Sequence, residues 1–309
     1  MLRSALKSGH PGRTSVGRED KELAKRQHAA LPGARRISRD DGVLLETRLL
    51  SALIVPFLVL GFGILYLFPG HTRDLFAWTI KPQMTAMMLG AAYLGGVYFF
   101  LRAASTPSWH RVQAGFPPVA TFATLLGLTT ILHWDRFNHV HIAFITWTAL
   151  YFTTPFLVAA VWFRNRSRDP QIAEIGDPLI PSAVATVMVA VGVAVLACGV
   201  FLFLLPDVAI QVWPWTLTPL TARVIATMFA LAGVAQISTG LDRRWSAARI
   251  TLQSQLVSLA AIELAAVVSW ADFHPASPLR WAFAGGLLAL LLAIGALTVT
   301  MDVRRSAAR

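Results

Sequence analysis

The chain has 309 residues, of which 55% are hydrophobic and 14% are charged, and its formal net charge is +11. An average soluble protein has about 25% charged residues, so this composition excludes an ordinary soluble domain. The single cysteine, Cys198, excludes a disulfide framework and a multi-cysteine metal centre within one chain. The usual phosphate-binding, dinucleotide-binding and hydrolase motifs are absent from the sequence, and we predict no catalytic residue, no cofactor and no metal from it.

A basic tail at residues 1–45 opens the chain, and its richness in Arg, Lys, Gly and Ser predicts disorder. Eight apolar segments of about 20 residues follow, which is the length needed to cross a hydrocarbon core of about 30 Å. The sequence therefore predicts an all-α integral membrane protein with eight transmembrane helices. In chain order, the segments are Leu49–Phe68, Gln83–Leu101, Pro117–Leu132, Val140–Phe163, Ser182–Leu205, Pro219–Leu241, Ile250–Trp270 and Trp281–Met301.

Lysine and arginine are unevenly distributed between the loops. With the amino terminus inside, the inner segments carry 22 of them, the outer segments carry 4, and Arg223 lies within a span. Because cytoplasmic loops are enriched in basic residues, we predict a multi-pass protein of the cell inner membrane with both termini in the cytoplasm. The positive charge is then a topology signal. The expected partner is the lipid bilayer and not nucleic acid, and a protein partner or homo-oligomer is compatible with the sequence.

The second half of the chain repeats the first. A shift of 137 residues superposes uncommon residues of the two halves, chiefly tryptophan and proline. Each unit has four helices, an even number, so the two units enter the membrane in the same direction as parallel repeats. We predict repeat 1 at 46–168, a cytoplasmic linker at 169–180, repeat 2 at 181–305 and a cytoplasmic tail at 306–309. Among the superposed residues are Pro69, Trp78 and Pro82, which fall on Pro206, Trp215 and Pro219.

The motif shared by the repeats, Trp78 and Pro82 with Trp215 and Pro219, precedes a predicted helix each time. Proline is favoured in the first turn of a helix, and Thr218 can cap that turn through its hydroxyl. Tryptophan at this level is typical of the aromatic belt at the headgroups. We interpret the motif as a helix-start device at the outer surface. The alternative is a pair of outer loops that form a lid over a central cavity.

The segment Trp213–Arg223, with the sequence WPWTLTPLTAR, resembles a signature of uncharacterised bacterial multi-pass membrane proteins. The resemblance covers only those eleven residues. In the first half the motif is degraded, with Ala77 and Ala86 at the positions of Pro214 and Arg223. The resemblance implies a membrane location and no mechanism.

Arg223 and Glu263 are the charges predicted deepest in the spans, about 6 Å and about 10 Å from the outer end by the helical rise. A charge at the centre of a span costs about 2.5–3.5 kcal/mol on insertion scales, so such residues are candidates for function. Three interpretations remain open. Arg223 reaches a lipid phosphate while Glu263 is protonated, the two form a structural ion pair, or they bind a substrate or relay a proton.

The seventh segment also carries polar residues in its inner half, namely Gln253, Ser254, Gln255 and Ser258. On a helical wheel Gln255 and Glu263 lie about 80° apart, which is compatible with one polar face toward the bundle. Such residues also hold helices together without any role in transport.

Imidazoles and carboxylates gather in the predicted outer loops, where they could ligate zinc or act as acid and base. The spacing matches no known ligand motif, and a polar interfacial loop is the alternative. The residues are His133, Asp135, His139, His141 and His274.

Three functions fit these observations. We favour a non-catalytic membrane component or subunit, because intramembrane polar residues are few and the loops are short. The second is a small-molecule or lipid transporter with its site at the interface of the repeats, reached by Arg223 and Glu263. The third is a membrane-embedded enzyme that uses the outer histidines and aspartates.

A reporter fused after Arg168 tests the predicted orientation, because the linker that follows is expected in the cytoplasm. A reporter active only in the cytoplasm should give a signal when fused after Arg168. The same reporter should give no signal when fused after Arg136, in a predicted outer loop. An external position for the Arg168 fusion would refute the topology.

Overall fold

The computed structural model describes residues 41–308. Positions 1–40 of the predicted tail lie outside the described residues. Eight of the described helices are long and apolar enough to cross a membrane, as predicted. The described part contains no β-strand, only three isolated bridges. The spanning helices are α1 Leu45–Phe62, α2 Gln83–Ser105, α3 Phe116–Leu132, α4 Ile142–Asn165, α5 Ser182–Leu204, α6 Pro219–Asp242, α7 Trp245–Val268 and α8 Leu279–Ala307.

Several helices depart from their predicted bounds, among them α7, which begins at Trp245 and not at Ile250. Helix α1 begins at Leu45 and continues through a π-helical turn at Gly63–Leu67. Helix α8 extends past the predicted end at Met301 and into residues 306–307 of the predicted tail. Its last turns are held because the Asp302 carboxylate accepts hydrogen bonds from the Trp245 indole at 2.8 Å and from Arg249 at 2.9 Å.

The eight helices form an inner and an outer set. Within each half, α1 packs on α2, α3 on α4, α5 on α6 and α7 on α8, while α2 meets α7 and α3 meets α6 across the halves. In the inner helices α2, α3, α6 and α7, 44–72% of the most apolar stretch of each helix is buried. In the outer four helices that share is 6–22%. The outer helices therefore leave most of their apolar side chains exposed, which is compatible with contact with a lipid bilayer.

The contact between α2 and α7 is close enough to involve backbone. A Cβ atom on Gly95 would lie 2.8 Å from the Ser254 carbonyl oxygen and even closer to the Ser258 hydroxyl. Ser254 donates its hydroxyl to the Gly95 carbonyl at 2.8 Å, and the Tyr98 hydroxyl donates to Gln253 at 2.6 Å. Small residues and interhelical hydrogen bonds are the usual means of helix association in lipid.

The two halves also make the same loop contacts. The backbone N–H of Trp109 donates to the carbonyl of Asp41, and that of Trp245 donates to the carbonyl of Pro178. Each pair is separated from its counterpart by 136 or 137 positions. Two further matched bonds are Val43 to Pro107 with Ile180 to Arg243, and Asn138 to Ala77 with His274 to Pro214.

The bundle has two ends. We call one of them the terminal face. It carries residue 41, the loop between α2 and α3, the segment 166–181, the loop between α6 and α7 and the end of α8. The aromatic face is the opposite end, with the loops before α2, α4, α6 and α8.

Candidate functional site

A cavity of about 180 Å³ lies between the two halves and is lined by side chains from all eight helices. A buried water needs only about 10–15 Å³ on this measure, so the space admits an organic molecule. The wall is almost entirely apolar, and the described residues that form it include no charged side chain. The uncharged polar exceptions are Tyr93, Tyr151, Thr154, Gln236, Thr251, Ser254, Gln255 and Ser258.

Helix α7 contributes a polar strip to this wall. Thr251, Ser254, Gln255 and Ser258 are spaced at i, i+3, i+4 and i+7 and so share one face of the helix. Of the residues predicted for the polar face, Ser254, Gln255 and Ser258 border the cavity, whereas Gln253 and Glu263 lie outside its wall. Ser254 also bonds to α2.

Two tyrosines close the wall on the side of the first half. The hydroxyls of Tyr93 on α2 and Tyr151 on α4 lie 2.7 Å apart and are buried. One phenol donates its hydrogen to the oxygen of the other, so both oxygens have a partner within the protein.

Arg223 lies in the first turns of α6 on the aromatic face, and its partner is not the one we expected. Its Nε donates to the Phe203 carbonyl at 3.1 Å, and its Nη1 lies 2.7 Å from Nε2 of His133. The reason is the packing of α3 on α6, which brings the end of α3 to Arg223. Partial burial and the positive charge of Arg223 lower the pKa of His133, which suits a neutral ring that accepts the guanidinium hydrogen.

Glu263 is half-buried on α7, and its Oε1 has no hydrogen-bond partner among the described residues. No ion pair joins it to Arg223 in that part of the chain. Neither residue lines the cavity.

His139 and His141, also on the aromatic face, take separate partners. Nε2 of His139 donates to the Trp134 carbonyl at 2.8 Å, and His141 caps α4 by accepting from the Ala143 N–H at 3.1 Å. Asp135 pairs with its neighbour Arg136 in an exposed contact, and the side chain of His274 is exposed. The described residues contain no group of three or more His, Cys, Asp or Glu side chains placed to hold a metal ion.

The shared tryptophan–proline motif lies in the loops that fold over the aromatic face. Trp78 and Trp215 are buried, and their rings lie 5.0 Å from those of Phe137 and Phe273 respectively. They are thus packed under the loops rather than exposed at the headgroups.

The helix-start interpretation holds for α6, where Pro219 occupies the first turn and the Thr218 hydroxyl accepts from the Thr221 N–H at 3.2 Å. In the first half Pro82 precedes α2 without a side-chain cap of its own. The carboxylate of Asp272, from the other half, accepts the Met84 N–H at 2.9 Å instead.

An ionic network that the sequence did not predict lies on the terminal face. Arg244 donates both terminal nitrogens to Asp169, at 2.8 and 2.7 Å, and bonds to Asp242 at 2.6 Å. Arg244 and Asp169 expose only 6% and 0% of their side chains. Burial opposes ionisation of Asp169, but the bonds from Arg244, the Gln171 N–H and Gln113 outweigh it and hold its pKa below the usual value.

His110 is the second centre of this network. Its Nδ1 lies 2.5 Å from Asp41, and its Nε2 lies 3.0 Å from Glu174 and 3.1 Å from the Ser246 hydroxyl. Arg111 and Arg305 also bond to Glu174, each at 2.6 Å. The predicted linker 169–180 is therefore packed against both halves, and residues 41–44, assigned to the tail, belong to the packed unit.

No protein-family model, curated protein or solved structure matches this chain. Inference about its function therefore rests on the geometry described above.

The Asp169–Arg244 pair predicts a measurable loss of stability. Asp169→Asn leaves Arg244 buried with one carboxylate fewer, and breaking such a pair costs about 3–5 kcal/mol. We expect a lower thermal unfolding temperature at pH 7 in detergent. Because the folded pKa is depressed, the contribution of Asp169 is present above the reference pKa of 3.8 and lost as the pH falls below it.

The matched control is Asp135→Asn, which removes an exposed pair with Arg136 on the aromatic face and should change the unfolding temperature little. Equal effects of the two substitutions at pH 7 would contradict the role of the buried pair, as would a gap between Asp169→Asn and wild type that does not narrow as the pH falls below 3.8.

Proposed function

We propose that this protein is a non-catalytic component of a bacterial inner membrane that binds a lipid-like molecule between its two halves. The observation that carries the proposal is the apolar cavity, walled by all eight helices and by both halves. Ligand sites in membrane bundles are commonly found between packed halves. A carrier would need such a binding site, and so would a subunit that presents the bound molecule to a partner protein.

The duplication is part of this proposal. It is supported by the matched loop bonds and by the equivalent contacts of α2 with α7 and α3 with α6. Two similar four-helix units related by an axis along the membrane normal would meet around that axis. The cavity lies between α2, α3, α6 and α7, where such an axis would pass.

The orientation also belongs to the proposal. Arg111, Arg244, Arg249 and Arg305 all lie on the terminal face, and each is paired with a carboxylate. The positive-inside rule assigns this face, with both termini, to the cytoplasm.

Binding is favoured over catalysis by the lining. Acid–base and nucleophilic catalysis need ionisable or activated side chains at the substrate, whereas this wall is apolar apart from hydroxyls and amides. The histidines and Asp135 of the aromatic face lie outside the wall, and His139, His141 and Asp135 are bonded to separate partners.

Cavity-filling substitutions test the proposal. Ala232→Phe on α6 and Leu150→Trp on α4 enlarge two lining side chains from different halves. Gly285→Phe is the matched control, because Gly285 is exposed and a Cβ there meets nothing within 4 Å. In native mass spectrometry of gently extracted protein, we expect a lipid-like adduct on wild type and Gly285→Phe, reduced at least about tenfold in both cavity variants.

A wild-type spectrum without adduct would refute the binding role. An adduct retained equally by the folded cavity variants would place the bound molecule on the outer surface and would also refute it. Folding is checked by the same elution volume in gel filtration.

A further inference from the structure

The positive charge of Arg223 has no counter-ion in the described part of the chain. Its hydrogen bonds go to two acceptors without negative charge, the Phe203 carbonyl at 3.1 Å and Nε2 of His133 at 2.7 Å. Among the described residues, no carboxylate lies within ion-pair distance of the guanidinium. Arg223 also lies in the first turns of α6, where the partial positive charge of the helix end disfavours a cation. The missing partner is therefore an anion.

Part of the guanidinium is available to such an anion. A guanidinium has five N–H hydrogens, and the two bonds above use one from Nε and one from Nη1. Nη2 of Arg223 bonds to no described residue and is not enclosed, whereas the unpaired Nε of Arg280 is enclosed. An oxygen of a ligand can therefore reach Nη2.

His133 adds a second donor beside the first. A guanidinium only donates, so Nε2 of His133 must accept, and the hydrogen of the neutral ring is then on Nδ1. This Nδ1 has no partner within residues 41–308 and is not enclosed either. The pair thus presents N–H donors from α6 and from the end of α3, which suits a ligand with several oxygens.

Depth and surroundings indicate that the anion belongs to a lipid. Arg223 lies about 6 Å from the start of α6, and a long cationic side chain at that depth reaches the headgroup level of a bilayer. The last turns of α3 and α5, which flank the site, expose apolar side chains that acyl chains can cover. They are Leu128, Ile131 and Leu132 on α3 and Val200, Phe201 and Leu204 on α5, each 42–66% exposed. A phosphate with acyl chains attached contacts both the donors and this apolar surface, whereas a free ion contacts only the donors.

We propose that Arg223 and His133 bind the phosphate group of a phospholipid where the ends of α3 and α5 meet α6. Nη2 of Arg223 donates to a phosphate oxygen, the Nδ1–H of His133 is available to a second oxygen of the same lipid, and the acyl chains lie along α3 and α5. Arginine suits this role because its planar fork matches the geometry of phosphate oxygens. The site lies outside the cavity wall and goes beyond the function proposed above.

The test compares two lipids with the same acyl chains, one with a phosphate and one without. Because the site is open to the bilayer, its occupant exchanges with detergent and is added back. Full-length protein in detergent micelles is incubated with equimolar dimyristoyl phosphatidylglycerol and dimyristoylglycerol, and the bound species are counted by native mass spectrometry. Hydrogen bonds to charged groups are worth about a factor of ten or more in affinity, so the phosphatidylglycerol adduct should exceed the other at least about tenfold.

Two variants remove the site in different ways. Arg223→Gln keeps a polar side chain and removes the charge, so the preference should fall to about one. His133→Glu places a carboxylate beside Arg223, which then pairs within the protein and excludes the phosphate while the fold is retained. The matched control is Arg136→Gln, which removes a cation of the same face that is already paired with Asp135 at 3.3 Å. This control should keep the wild-type preference.

Further arms distinguish this site from the cavity and from a site for free phosphate. Ala232→Phe fills the cavity and should keep the preference for phosphatidylglycerol. Loss of the preference in this variant, with Arg223→Gln like wild type, would place the phospholipid in the cavity and overturn the inference. Equimolar inorganic phosphate should leave the lipid adduct in place, and displacement of the lipid would assign the site to the free ion and overturn it as well.

Two results would overturn the inference and leave the cavity proposal intact. One is equal binding of the two lipids to wild type, because the free N–H groups then hold only water. The other is a preference that survives in folded protein carrying either Arg223→Gln or His133→Glu. Folding of each variant is checked by its elution volume in gel filtration.

Discussion

The packing of α2 on α7 and of α3 on α6 is the constraint on which the rest of the structure depends. Lipid tails are as apolar as leucine, so helices in a bilayer associate through close packing and hydrogen bonds and not through the hydrophobic effect. Gly95 supplies that close approach, and Ser254 supplies an interhelical bond at the same level. The cavity is the space that these two helix pairs leave between them.

Charge and polarity are divided along the bundle in a way that follows from this packing. The terminal face holds buried ion pairs around Arg244 and His110, which join the loops of both halves to the end of α8. The aromatic face places Arg223 against His133 at the contact of α3 with α6. At the equivalent contact of α2 with α7, the Ser269 hydroxyl donates to the Met87 sulfur, and both side chains are uncharged. Between the two faces the cavity wall is mostly apolar, and the polar groups of its described residues are hydroxyls and amides. Such a wall is suitable for a neutral molecule.

Local chemistry explains which features the sequence could predict. Hydropathy and length were enough for the eight spans, and the Thr218 cap followed from its place before Pro219. Helical spacing grouped Gln255 with Glu263, but only Gln255 lines the cavity. The ionic network was not predictable, because Asp169 and Arg244 are 75 positions apart and each resembles a solvated loop residue in its own segment. The partner of Arg223 was missed because depth in the membrane does not say which helices meet. The bond from Gln236 on α6 to Gln255 on α7 likewise depends on helix packing that only the folded bundle creates.

An experimental structure of the protein in lipid nanodiscs would test the central claim most directly. We predict elongated density between α2, α3, α6 and α7, in contact with the apolar side chains of Met228 and Ile262 on the cavity wall. Side chains of the two halves packed against each other, with no space between them, would contradict the account.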